Sequence, residues 1–214
     1  MTMRDSELEG PVNKTNIERI TNALFAFTMT LLIRNLTVPA GMWESEEVLF
    51  ASLGQFLVDL TIYLFVFLVL AVTWVLLFRV YRNIVAVDLG FVARVFVALL
   101  LVVFLPITSQ IDAAIDAPIA GVFSQLNLGL LGVTTWALFR YAAARPALRD
   151  PRLTDHHVTR MLRREYIVLP VSSAVALILS AAGVDLAGVV YLVAPVALWW
   201  MIEHDGLDRN SLPG

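Results

Sequence analysis

The chain has 214 residues, 59% of them hydrophobic, with a mean hydropathy of +0.79 and a formal net charge of −3. Nothing in this composition is left over for a water-soluble catalytic domain. The absence of cysteine also excludes disulfides, thiolate catalysis and cysteine-based metal sites.

Residues 1–15 are polar and mixed in charge, and they predict a cytoplasmic N-terminal segment. No small-residue cleavage pattern follows the first apolar run, so it reads as a span, not a signal peptide. Six apolar stretches follow, at roughly 20–38, 56–78, 91–109, 117–143, 165–182 and 186–202. A hydrocarbon core of about 30 Å takes about 20 helical residues to cross. The fold class is therefore all-α and polytopic. Residues 16–204 form one six-helix transmembrane domain, and 205–214 form a cytoplasmic tail.

The first helix is expected to be capped by Thr15 or Asn16, with Glu18 in its first turn, and to end at Pro39. Residues 39–55, with Trp43 and three glutamates, read as a polar extracytoplasmic loop. Pro106 predicts a kink or an end near the outer part of the third span. Asn127, with Gly129 and Gly132, predicts close helix packing supported by an interhelical hydrogen bond. Residues 144–156 read as a basic, proline-punctuated cytoplasmic loop. His156 and His157 are taken as solvated, because adjacent histidines diverge by about 100° on a helix and do not chelate.

Charge placement orients the chain. Arg140, Arg145, Arg149, Arg152, Arg160, Arg163 and Arg164 form the densest basic cluster. The alternate loops carry Glu44, Glu46, Glu47, Asp112, Asp116 and Asp185, with no lysine or arginine. Basic loops stay cytoplasmic, so both termini face the cytoplasm, in agreement with an even number of spans.

The first span is unusually polar, with Thr21, Asn22, Thr28, Thr30, Arg34, Asn35 and Thr37. At 3.6 residues per turn Ile20, Leu24, Phe27, Leu31 and Arg34 share one stripe, and Thr21, Thr28 and Asn35 share another. A helix facing lipid all round has no need of either polar set, so this one belongs at the centre of an assembly. Buried threonines also commonly bond the carbonyl of the preceding turn, which is the plain reading of Thr28 and Thr30. A charge within a span marks a functional site by default. Arg34 lies about a turn before the outer end of the first span, and Asp59 lies at similar depth on the second. The two are expected to pair, within a subunit or between neighbours, or else Arg34 snorkels to the interface. No Walker loop, GxGxxG, HExxH or nucleophile elbow is present, so no catalytic residue, cofactor or resident metal is expected.

The run from Ala23 to Pro39 (ALFAFTMTLLIRNLTVP) resembles the first helix of the lysosomal-type potassium channels, the transmembrane protein 175 family. Trp74 with Arg79, Arg82 and Asp88 resembles the end of the family's second helix, and Phe104-Leu105-Pro106-Ile107-Thr108 the end of its third. Leu126-Asn127-Leu128 with Arg140-Tyr141-Ala142 resembles the fourth. The likeness covers about residues 16–143, and beyond that it is one of hydropathy alone. Asn16 and Ile20-Thr21-Asn22 stand where the family has an arginine followed by Phe-Ser-Asp. Leu76-Leu77-Phe78 replaces its Asn-His-His, and Arg94 a usual asparagine. The charged network around the family's first helix is thus expected to be missing from both sides.

The resemblance implies a bacterial inner-membrane homotetramer, with the first helices lining a central pore and membrane lipids around it. Potassium or other monovalent cations would pass without any nucleic-acid partner. Phe27, Leu31 and Arg34 would form the constriction, Thr30 would supply the adjacent hydroxyl, and Ile20 and Leu24 would continue the stripe. A ring of phenylalanines closes a narrow pore by dewetting, and four arginines at its mouth repel cations unless Asp59 neutralises them. One rival is a non-conducting structural or regulatory protein with the same fold. A proton-linked transporter is disfavoured, because no acidic residue lies near the midplane and no inverted repeat is visible.

Overall fold

The computed structural model describes residues 13–36, 41, 43–114 and 118–182, together with 190, 196 and 200. Helix α1 (Lys14–Leu32) starts two or three residues earlier than expected. Asn13 has an extended backbone, and its side-chain oxygen accepts the Thr15 N–H at 2.9 Å, so Asn13 is the cap. Thr15 and Asn16 lie inside the helix, and Glu18 falls beyond its first turn. The helix tightens into a 3-10 turn at Ile33–Asn35, short of Pro39, which lies outside the described residues.

Helix α2 (Glu46–Arg82) is 37 residues long, so residues 46–55, expected as loop, are helical. The side chain of Ser45 caps the Val48 N–H, while Glu46 and Glu47 favour the positive end of the helix dipole. The same polar residues that suggested a loop are a helix start. Helix α3 (Leu89–Ala114) is opened by Asp88, whose carboxylate accepts the Phe91 N–H at 2.6 Å, and it runs through Pro106 without ending. A neighbouring helix supplies polar groups around the proline, as helices within membranes allow. Asn127 Nδ2 donates to the Leu101 carbonyl at 3.2 Å, and Ser124 Oγ donates to the Thr108 carbonyl at 2.9 Å.

Both of those side chains come from α4 (Pro118–Ala143). Short, basic α5 (Asp155–Arg164) is capped by Thr154, and α6 (Val168–Ala181) follows after a break at residues 165–167. The fifth apolar stretch is therefore part of a longer helical path that begins at Asp155, ten residues before its expected start. The sixth stretch lies outside the described residues apart from Val190, Val196 and Trp200.

Among the described residues there is no strand. Four helical segments are long and apolar enough to cross a membrane: Glu46–Arg82, Leu89–Ile111, Gly121–Ala143 and Asp155–Ala181. The more polar α1 is not one of them. Helix α4 packs along both α3 and α6, and α1 rests on α3 and α2. At Gly132 an added Cβ would come within 2.8 Å of the Pro170 backbone nitrogen, so the glycine is what lets α4 and α6 meet. The predicted packing role of this segment is borne out there and at Asn127.

The basic ends of the helices are knitted together. The Val85 N–H donates to the Leu148 carbonyl at 2.8 Å and the Asp150 N–H to the Asn83 carbonyl at 3.0 Å, around an isolated bridge between Ile84 and Arg149. Lys14 Nζ, at the start of α1, donates to the Ile84 carbonyl at 2.7 Å. Arg152 hydrogen-bonds Asp150 and holds that carboxyl below its ordinary pKa. The proline-punctuated segment is thus pinned back against the α2–α3 connection.

Candidate functional site

The two faces of α1 have different fates within one chain. Ile17, Thr21, Phe25, Thr28 and Leu32 are buried against α2 and α3. Thr21 Oγ1 bonds the Ile17 carbonyl at 2.9 Å and meets the Tyr81 hydroxyl of α2 at 2.8 Å. One residue on, Asn22 Oδ1 accepts the Trp74 indole N–H at 2.9 Å. Both contacts, Asn22 with Trp74 and Thr21 with Tyr81, join neutral groups of α1 and α2. Neither bond is among the sequence-based expectations. Each needs an α1–α2 register that spacing alone does not supply.

Facing away from that core, Ile20, Phe27 and Arg34 are exposed, and Leu24 and Leu31 are half-buried. Phe27 is 57% exposed. These five are the stripe that helical spacing selects. Thr30 is also exposed and bonds the Ala26 carbonyl at 2.8 Å, as the plain reading of this residue expects. Thr28 departs from that reading. Its hydroxyl is buried and has no hydrogen-bond partner among the described residues. Arg34 sits in the 3-10 turn that closes α1, and Asp59 is half-buried on α2.

Four ion pairs occur among the described residues, and Arg34 enters none of them. The most buried was missed from sequence: Arg79 Nη1 and Glu165 Oε2 meet at 2.6 Å, with Glu165 almost fully enclosed. It is a charge contact without hydrogen-bond alignment. Next to it the Tyr166 hydroxyl donates to the Leu76 carbonyl at 2.9 Å, and the ring stacks on Phe139 at 4.4 Å. The break between α5 and α6 is thereby fastened to α2 and α4. An acidic residue at the head of an apolar run, in a chain with arginines at the same depth, is the signal that could have pointed to this pair.

His157 Nδ1 bonds the Thr154 hydroxyl at 2.6 Å, and His156 is exposed. No cluster of three or more histidines and carboxylates among the described residues could hold a metal ion. The arrangement offers no reacting group; it offers a helix face and a set of interhelical bonds that hold it.

Two comparisons bear on this arrangement. Residues 16–106 match the family described as endosomal/lysosomal potassium channel TMEM175. The fold is similar to the crystal structure of a lysosomal potassium-selective channel TMEM175 homolog from Chamaesiphon minutus, with a TM-score of 0.74 at 22% identity over 88% of this chain and 97% of that one. No curated protein matches the chain.

Proposed function

Since residues 16–106 match the model of the lysosomal-type potassium channel family, we propose that this chain assembles as a homotetramer and passes monovalent cations passively along an axis lined by α1. The observation that carries the reading is the stripe of Ile20, Leu24, Phe27, Leu31 and Arg34, exposed at Ile20, Phe27 and Arg34, on a helix whose opposite face is already buried. A helix lining a hydrated axis need not be as apolar as one bathed in lipid. That suits α1, which is absent from the four membrane-length apolar segments.

In this assembly the Phe27 rings form the narrowest point and close it by excluding water, with Leu31 below the mouth and the Thr30 hydroxyl beside them. Arg34 stands at the mouth, and its charge is offset by Asp59 of a neighbouring subunit. The protein lies in the bacterial inner membrane with both termini cytoplasmic. Flux from proteoliposomes under separate potassium, sodium and chloride gradients tests the reading. Cation flux above that of empty vesicles supports it, and its absence from correctly assembled protein overturns it. The exposed Arg34 also favours a second reading, a permanently closed regulatory protein with the channel fold. Arg34→Leu separates the two, because only a true pathway gains cation flux when the charge is removed.

A further inference from the structure

A second arrangement lies at the basic end of α3 and α4. Arg94 Cζ lies 3.8 Å from the centre of the Tyr141 ring, and Arg145 Cζ lies 3.5 Å from the same centre. One ring face cannot take two guanidinium planes at such distances, so the two arginines bracket the tyrosine. The ring is itself fixed. Its hydroxyl donates to Asp88 at 3.1 Å, and Asp88 caps α3 through the Phe91 N–H. Gly90 leaves the room, because a Cβ there would collide with the Tyr141 hydroxyl.

The charges do not balance. Arg145 Nε is 3.7 Å from Asp88 Oδ2, a single carboxylate that also serves Tyr141 and the helix cap. Arg94 has one hydrogen-bond acceptor among the described residues, the Gly90 carbonyl at 2.8 Å, and it is exposed. Most of its donors therefore face outward. Along the same exposed side of α3 run Val97, Leu100, Phe104 and Ile107, each about half exposed or more. A cationic head with fixed geometry thus stands at one end of an exposed apolar strip.

We propose that Arg94 and Arg145, ordered by Tyr141, bind the phosphodiester headgroup of an anionic phospholipid whose acyl chains lie along Val97, Leu100 and Phe104. Guanidinium groups match phosphate oxygens with paired donors, and the apolar strip fits two hydrocarbon chains and no soluble anion. This site is independent of any ion pathway along α1.

The test is thermal unfolding of the full-length protein in detergent, titrated with phosphatidylglycerol or phosphatidylcholine of the same chain length. A ligand that binds only the folded state raises the melting temperature with concentration. Phosphatidylglycerol should do so at lower concentration than phosphatidylcholine. Arg94→Gln with Arg145→Gln should weaken that preference about tenfold or more, as should Arg94→Gln alone, where the exposed side chain leaves folding intact. Arg163→Gln with Arg164→Gln, on the remote α5, should keep it. Equal shifts with both lipids, or an undiminished preference in the Arg94 variants, overturn the proposal. Loss of preference in the α5 variant overturns it too, since attraction would then be diffuse.

Discussion

The buried and exposed faces of α1 are made of similar residue types, yet only one is completed by the chain itself. The inner face places Phe25 in the core and bonds Thr21 to the Tyr81 hydroxyl of α2. The outer face leaves Phe27 and Arg34 uncovered. Residue type does not tell the two apart; what each meets does. In the proposed assembly, α1 is packed by its own subunit on one side and by neighbouring copies on the other.

The sharpest way to break that contrast is to truncate each phenylalanine. Phe25→Ala should empty a packed core position, and such changes cost about 3–5 kcal/mol in water-soluble proteins. In a bilayer the packing share of that loss remains, because lipid tails replace water as the alternative surroundings. Phe27→Ala should leave the unfolding of the isolated subunit within about 0.5 kcal/mol but raise cation flux, since a widened apolar constriction rehydrates. Unfolding in detergent and flux in proteoliposomes read the two effects separately. Equal destabilisation by both variants, or unchanged flux in Phe27→Ala, would remove the distinction between the faces.

A smaller effect is expected at the mouth. Asp59→Asn should expose four uncompensated guanidinium groups, depressing cation flux and shifting reversal potentials toward chloride. Arg34→Leu should do the opposite. The interaction energy of unit charges a few ångströms apart is several kcal/mol at intermediate dielectric, enough to reverse a preference between ions of opposite sign. A reversal potential that does not move in Asp59→Asn would disconnect this residue from the pathway.

The stripe on α1 was legible because an α-helix converts spacing into direction, and five residues at steps of three and four can lie only on one side. The closeness of α4 to its neighbours was legible from Asn127 and Gly132, whose residue types have few other uses in an apolar helix. Helix starts were harder. Ser45-Glu46-Glu47 is polar enough to read as loop, and the same residues are what a helix N-terminus uses. Pro106 shows the converse, a nominal helix breaker whose surroundings are satisfied from α4. Glu165 at the head of an apolar run signals a buried charge, but its partner Arg79 lies across 85 residues of chain that only the packed bundle brings together. The same holds for Tyr141, whose bracketing arginines come from two different segments.

The smallest expected effect is a difference in sign between two buried threonines of α1. Thr21 has its hydroxyl occupied by the Ile17 carbonyl and the Tyr81 hydroxyl, whereas that of Thr28 has no partner among the described residues. Valine has nearly the same shape and no hydroxyl. Thr21→Val should therefore cost about 1–3 kcal/mol, because it leaves the buried Tyr81 hydroxyl short of a partner. Thr28→Val removes a desolvated, unsatisfied group and should stabilise the subunit by about 1 kcal/mol. Unfolding of both variants in the same detergent gives the comparison. If Thr28→Val is instead destabilising only in the assembled protein and neutral in the dissociated subunit, the Thr28 hydroxyl is bonded across the subunit boundary. The buried face of α1 would then also be completed by the assembly.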